Sequence, residues 1–139
     1  MRVFVKRGDS HQEFEVPRQP SQTVLDVVTY IQRVLDPTLA YRFACRVGMC
    51  GSCAMTVNGV PRWTCRTHVD KVVRNDKLEI SPLRNLPVIR DLVVDMSEFF
   101  DKWARAKGEF RGRQTRRDDF AAVSPQSENR KLADAGIEC

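Results

Sequence analysis

Histidine is scarce in this sequence, long apolar runs are absent, and each lack removes a class of function. The only two histidines, His11 and His68, lie far apart, whereas a Rieske-type centre needs two at ligand spacing. No nucleophile–base pair, phosphate-binding glycine loop or pair of carboxylates stands out, so the parts of a self-sufficient hydrolase or transferase are missing. No stretch approaches the roughly 18 apolar residues of a membrane span. The opening MRVFVKRGDS enters an alternating pattern at once, with no apolar core of a signal peptide. Read as a native start, it places the chain in the cytoplasm. No internal repeat is visible.

At 139 residues, 42% hydrophobic and 29% charged, the chain has room for one domain and an appendage. That length buries roughly 70% of the unfolded surface, enough for a core without disulfide help. The net charge of +5 is uneven. Lys102, Arg105, Lys107, Arg111, Arg113, Arg116 and Arg117 face one acid, Glu109, in the same run. No nucleic-acid fold signature accompanies them, so the run reads as a solvated connector or a face for an acidic partner, not a nucleic-acid site.

The patterning outlines an α+β fold. Residues 2–7 and 11–16 alternate around Gly8-Asp9, the outline of a hairpin. Thr23 followed by Asp26 is a capping-box variant. Behind it Val24, Val27, Val28, Ile31, Val34 and Leu35 recur at helical spacing until Asp36-Pro37 ends the helix. Residues 54–58 and 60–65 flank Asn58-Gly59, a two-residue hairpin turn, and Pro61 marks an edge strand. A short strand over 78–81 closes the sheet. Hairpin, helix, hairpin and closing strand make an α+β roll of the β-grasp kind over residues 1–88. After the break at 82–87, Ile89, Leu92, Val93, Met96, Phe99, Phe100 and Trp103 form one stripe, predicting an amphipathic linker helix over 89–106. Residues 107–139 read as a basic connector and a short final helix over 125–134. Ser124-Pro125 stands at the start of that helix and Gly136 near its end.

Four of the five cysteines, Cys45, Cys50, Cys53 and Cys65, are spaced C-x4-C-x2-C-x11-C. A disulfide framework is disfavoured because nothing marks the chain as secreted. A redox CxxC would need neither Cys45 nor Cys65. Structural zinc prefers two CxxC knuckles, and only Cys50 and Cys53 make one. The remaining reading is a plant-type [2Fe–2S] cluster, whose local run is C-x4-C-x2-C with a fourth Cys further on. Zinc stays open beside it. Gly48 and Gly51 would let backbone N–H groups approach sulfur, since neither has a Cβ to clash. The Ser52 hydroxyl could donate to a sulfur, and Arg46 and Arg42 place positive charge near an anionic group. His68, three residues after Cys65, could border the site. His11 falls in a strand facing solvent.

The stretch CRVGMCGSCAMTVNG, then Cys65 and PLRNLPVIRDLVVDMSEFFDKW, resembles the iron–sulfur subunit of succinate dehydrogenase and fumarate reductase. The resemblance implies that Cys45 and Cys50 hold one iron, and Cys53 and Cys65 the other. It implies electron relay between a flavoprotein (FAD) subunit and quinone through a [2Fe–2S] cluster. It also implies membrane-anchor subunits as partners and a place on the cytoplasmic face of the inner membrane. In that family [4Fe–4S] and [3Fe–4S] clusters follow in a C-terminal helical domain of ferredoxin type. Cys139 stands where its first ligand would fall, so a truncated chain is expected, completed elsewhere if the later clusters form. Residues 107–139 would then be disordered without the rest of the subunit or a flavoprotein partner. The alternatives are a stand-alone ferredoxin-like carrier and a structural zinc module.

Overall fold

In the computed structural model the described residues are 1–107, 116–119 and 124–137, the side chains of 133–137 excepted. Expectations for Cys139 and for Glu109, Arg111 and Arg113 of the basic run lie outside them. The chain forms two compact units, Met1–Lys102 and Trp103–Cys139.

The first unit is built on a five-stranded mixed sheet. β1 (Arg2–Arg7) and β2 (Ser10–Glu15) form the expected hairpin, and β3 (Ala54–Val57) and β4 (Val60–Trp63) form the second. Asn58 and Gly59 both take positive φ at its turn, as a two-residue loop requires. β5 (Lys77–Ser81) lies between the hairpins, parallel to β1 and antiparallel to β3, giving the order β2-β1-β5-β3-β4. Pro61 sits on the outer strand β4, where its missing N–H costs no ladder bond.

One face of the sheet carries Val3, Val5, Phe14, Met55, Val57, Leu78 and Ile80, all buried. α1 (Val24–Tyr30) lies over it, burying Val24, Val27, Val28 and Ile31 into the same core. Its start is the predicted capping box: the Asp26 N–H donates to the Thr23 hydroxyl, and the Asp26 carboxylate accepts from the Thr23 N–H at 2.9 Å. The helix does not run regularly to Leu35. Residues 31–35 widen into a π turn closed by the Asp36 N–H on the Ile31 carbonyl, which leaves Val34 and Leu35 exposed. A one-turn helix absent from the sequence reading, α2 (Val69–Val72), follows Cys65 and buries both its valines. His68 stands before it, its backbone bridged to Thr23. His11 is 3.5 Å from Glu79 on the exposed side of the sheet.

The expected helix over 89–106 is corrected. Residues 88–94 are a small hairpin of β6 (Val88–Arg90) and β7 (Val93–Val94), and α3 spans only Ser97–Arg105. Asp91 takes positive φ at the turn, and its carboxylate accepts from the Arg7 guanidinium and, at 2.8 Å, from the Ala40 N–H. That tether turns the chain and drops Leu92 and Val94 into the core of the first unit, which therefore runs past residue 88. The apolar spacing of 88–94 fits a strand period as well as a helical one, and long-range hydrogen bonds decide between them. The Asp95 carboxylate then accepts from the Ser97 N–H at the start of α3. In the second unit α4 spans Glu128–Ile137, not 125–134. Ser127, rather than Ser124, accepts the Arg130 N–H in the capping position, and the helix carries through Gly136.

The hairpin makes a prediction that the helix would not. Leu92 is 4% exposed and Ile89 61%, although both belong to the stripe. Leu92→Ala should cost about 2–4 kcal/mol in urea unfolding and Ile89→Ala less than about 0.5 kcal/mol. Equal costs would return the segment to a helix.

Candidate metal centre

The loop between α1 and β3 has no strand or helix to satisfy its backbone, and sulfur takes that role. The N–H groups of Val47, Met49 and Cys50 point at the Cys45 sulfur at 3.3–3.5 Å, and the Cys45 N–H at the Cys50 sulfur at 3.5 Å. The Gly48 N–H acts in the same way on the Cys65 sulfur. Such convergence needs alternating backbone hands, and Arg46, Gly48 and Gly51 all take positive φ. At Gly48 an added Cβ would also stand 2.8 Å from the Arg66 side chain.

The four thiols fall into two pairs. Cys45 and Cys50 are tied by reciprocal N–H···S contacts on the outer loop, Cys45 half-buried and Cys50 exposed. Cys53 and Cys65 are buried beside Leu25 and Tyr41, thiol to thiol. Two folded elements fix this second pair. The Thr64 hydroxyl donates to the Cys53 carbonyl at 2.7 Å, and the Leu25 N–H of α1 donates to the Thr64 carbonyl.

The electrostatics of the pairs differ. The Cys45 N–H, with the Ser52 hydroxyl and N–H, holds the Cys50 thiol down at about 6. Burial, with the adjoining Cys53 thiol, pushes the Cys65 thiol up. The loop thus stabilises negative charge on the Cys50 sulfur, and the buried Cys65 thiol is held against ionisation. Among the described residues no three His, Cys, Asp or Glu side chains converge as the ligands of one metal ion would. Two thiol pairs match the donor set that a two-iron centre would need, two thiolates for each iron, with N–H groups available to sulfur. The residues fit that group.

The sequence-predicted residues are not all in the same place. Ser52 contacts Cys50, and Gly48 and Gly51 lie in the loop. Arg46 turns away onto Asp26 at 3.2 Å, with its guanidinium over the Phe43 ring. Asp26 therefore has two tasks, capping α1 and tethering the loop. Burial raises its pKa, but the Thr23 bonds and Arg46 outweigh this and hold it below the usual carboxylate range. His68 opens α2 as its N-cap. Asp26, Tyr41 and Thr64 were missed as site residues. Asp26 was legible as a cap, but its second partner is set by tertiary structure.

An α+β sheet carrying four thiols in two pairs defines a ferredoxin-type iron–sulfur domain. A family model described as "2Fe-2S iron-sulfur cluster binding domain" matches residues 4–101. The chain belongs to that family. It is 43% identical over 106 residues to the fumarate reductase iron-sulfur subunit of Mycobacterium tuberculosis, covering 76% of this chain and 42% of that one. It is 40% identical over 77 residues to the mitochondrial succinate dehydrogenase [ubiquinone] iron-sulfur subunit of Dictyostelium discoideum, covering 55% and 27%. Among solved structures it is similar to a chain of the Mycobacterium smegmatis Sdh1 complex in the apo form. That match has 34% identity and a TM-score of 0.70, covering 81% of this chain and 53% of that one. The chain spans less than half the length of these curated relatives.

The loop geometry sets an expectation for its glycines. Gly48→Ala and Gly51→Ala each force a Cβ into positive φ, at about 1–2 kcal/mol of strain. Both should lower the iron bound per chain after reconstitution while leaving the far-ultraviolet circular dichroism unchanged. Gly8→Ala, in a turn remote in sequence, should leave iron content at the wild-type level.

Proposed function

We propose that this chain is the [2Fe–2S] electron-transfer part of a succinate dehydrogenase or fumarate reductase iron–sulfur subunit. In this reading Cys45 and Cys50 bind one iron, and Cys53 and Cys65 bind the other. The observation that carries it is the pairing of the four thiols within the residues matched by the family model. Bound there, the cluster supplies one-electron transfer.

The chain's own residues do the rest. The N–H groups of Val47, Met49 and Cys50 stabilise charge on sulfur, and so does the Ser52 hydroxyl at Cys50. Leu25 and Tyr41 keep water from the inner pair, where local polarity controls potential. No described residue arrangement supplies acid–base chemistry for a dicarboxylate, so that chemistry is assigned to a flavoprotein (FAD) partner. Membrane-anchor subunits would be engaged through sequence beyond this chain, on the cytoplasmic face of the inner membrane. [4Fe–4S] and [3Fe–4S] clusters would form only with ligands supplied there. No described helix is long and apolar enough to cross a membrane.

Anaerobically purified protein should be reddish, with two irons and two sulfides per chain and a rhombic electron paramagnetic resonance signal on reduction. Alanine at Cys45, Cys50, Cys53 or Cys65 should abolish that signal. Cys53→Asp should keep a cluster at an altered potential, and Cys139→Ala should change nothing. Colourless protein holding one zinc would sink the cluster reading. Co-purification from the native source, with the mass of every subunit measured, tests the flavoprotein partner.

A further inference from the structure

Two arginines, Arg42 and Arg46, flank Cys45 in sequence, and the fold uses them differently. Arg46 is spent on a carboxylate, Asp26 at 3.2 Å. Arg42 donates to a neutral acceptor, the Val94 carbonyl, at 3.2 Å. Its other electrostatic neighbour is Asp95, whose carboxylate is engaged first by the Ser97 hydroxyl and N–H. Arg42 lines a cleft of about 400 Å³ with Cys50, Gly51 and Ser52, and with Val94, Met96 and Phe99. Most of the exposed lining is apolar, so water screens a charge there less than on an open surface.

The position of Arg42 is built rather than incidental. Residues 38–42 run beside 90–94 through four bonds. The Ala40 N–H donates to Asp91 at 2.8 Å, the Leu92 N–H to the Ala40 carbonyl at 3.2 Å, Arg90 to the Thr38 carbonyl at 3.1 Å, and Arg42 to Val94. Arg7 anchors both sides, bonding Asp91 at 3.0 Å and also Asp36 and Thr38. The small hairpin β6–β7 thus clamps the approach to Cys45 and holds Arg42, bonded to Val94, on the wall of the cleft that Cys50, Gly51 and Ser52 also line.

We propose that Arg42, presented by the 90–94 hairpin on the wall of the cleft beside Cys50, Gly51 and Ser52, is the residue that sets the potential of the [2Fe–2S] centre. Arg46 is not. This rests on the cluster reading above. Reduction adds one electron and breaks or forms no bond, so a fixed cation on the wall of that cleft favours the reduced form. Arg42 acts through the field and is a positioning residue, not a ligand.

The test is a redox titration of the loaded full chain against a mediated dithionite reductant, read by the resonance signal of the reduced centre. Arg42→Gln and Arg42→Met, both neutral, should each lower the reduced-to-oxidised ratio at fixed potential about threefold, roughly 28 mV for a one-electron couple. Arg42→Lys should retain most of the wild-type ratio. Arg46→Gln should move it less than half as far as either neutral variant. An equal shift in Arg46→Gln overturns the proposal. So does an unchanged ratio in a neutral Arg42 variant of normal iron content. A shift in Met but not in Gln, which still can donate to Val94, assigns the effect to the bond and also overturns it. Wild-type protein that takes up no iron instead fails the cluster reading itself, which iron analysis shows before any titration.

Discussion

Backbone N–H groups that have no carbonyl to bond are the constraint from which this site follows. Between Cys45 and Cys50 the chain is too tightly turned for a ladder or a helical bond, so its backbone donors find another acceptor. Sulfur accepts them, at 3.3–3.5 Å. The turn that makes this possible requires positive φ at Arg46, Gly48 and Gly51. Two glycines carry that conformation without strain. Arg46 carries it against its Cβ, and its side chain is anchored at the far end by Asp26. An ionised sulfur strengthens hydrogen bonds of this kind, so the loop's geometry and the lowered pKa of Cys50 have one cause.

The sheet and α1 supply what the loop cannot. Asp26 caps the helix and holds Arg46 with its other oxygen, so the start of α1 and the cysteine loop are coupled through one carboxylate. Thr64 joins β4's exit to α1 through the Leu25 N–H while its hydroxyl fixes the Cys53 carbonyl. The inner thiols are placed by core packing and by bonds that form whenever the unit folds. On the far side Arg7 gathers Asp36, Thr38 and Asp91, closing the approach to Cys45 against the 88–94 hairpin.

The elements most legible in the sequence were those with local causes. Thr23 and Asp26 marked the helix start, Asn58-Gly59 the turn, Pro61 the edge strand, and the period-2 runs the strands of the sheet. The two-iron reading was legible, beside zinc, because cysteine spacing is a local property of the chain, and the family was legible in the resemblance of CRVGMCGSCAMTVNG and PLRNLPVIRDLVVDMSEFFDKW to known iron–sulfur subunits. The failures share a different cause. Residues 89–94 read as the start of a helix because Ile89, Leu92 and Val93 satisfy two periods at once, and partners remote in sequence, Arg7 and the Ala40 N–H, select the turn at Asp91. Val34 and Leu35 read as core because their spacing continues the stripe, yet the π turn rotates them outward. Arg42 and Arg46 read alike because both lie within three residues of Cys45. Their partners, Val94 and Asp26, lie 52 and 20 residues away, and separate their roles.

The unequal burial of the thiols says where a bound metal centre does its structural work. Cys53 and Cys65 are enclosed by Leu25 and Tyr41 and anchored through Thr64, so folding alone brings them together. Cys45 and Cys50 have no such enclosure. Val47 and Met49 between them are 58% and 81% exposed, and apolar packing contributes little to the loop. What orders the outer pair is hydrogen bonding to sulfur, which is strongest when the sulfur is ionised. A bound metal keeps thiols ionised, and its binding energy is therefore felt mainly in residues 45–51 rather than in the sheet. Burial acts in the opposite direction on Cys65, whose thiol resists ionisation until a cation is beside it. Hydrogen-bond donors thus hold Cys50 of the outer pair toward thiolate, while burial holds Cys65 of the inner pair against it. That division follows from one side of the site belonging to the core and the other to a loop.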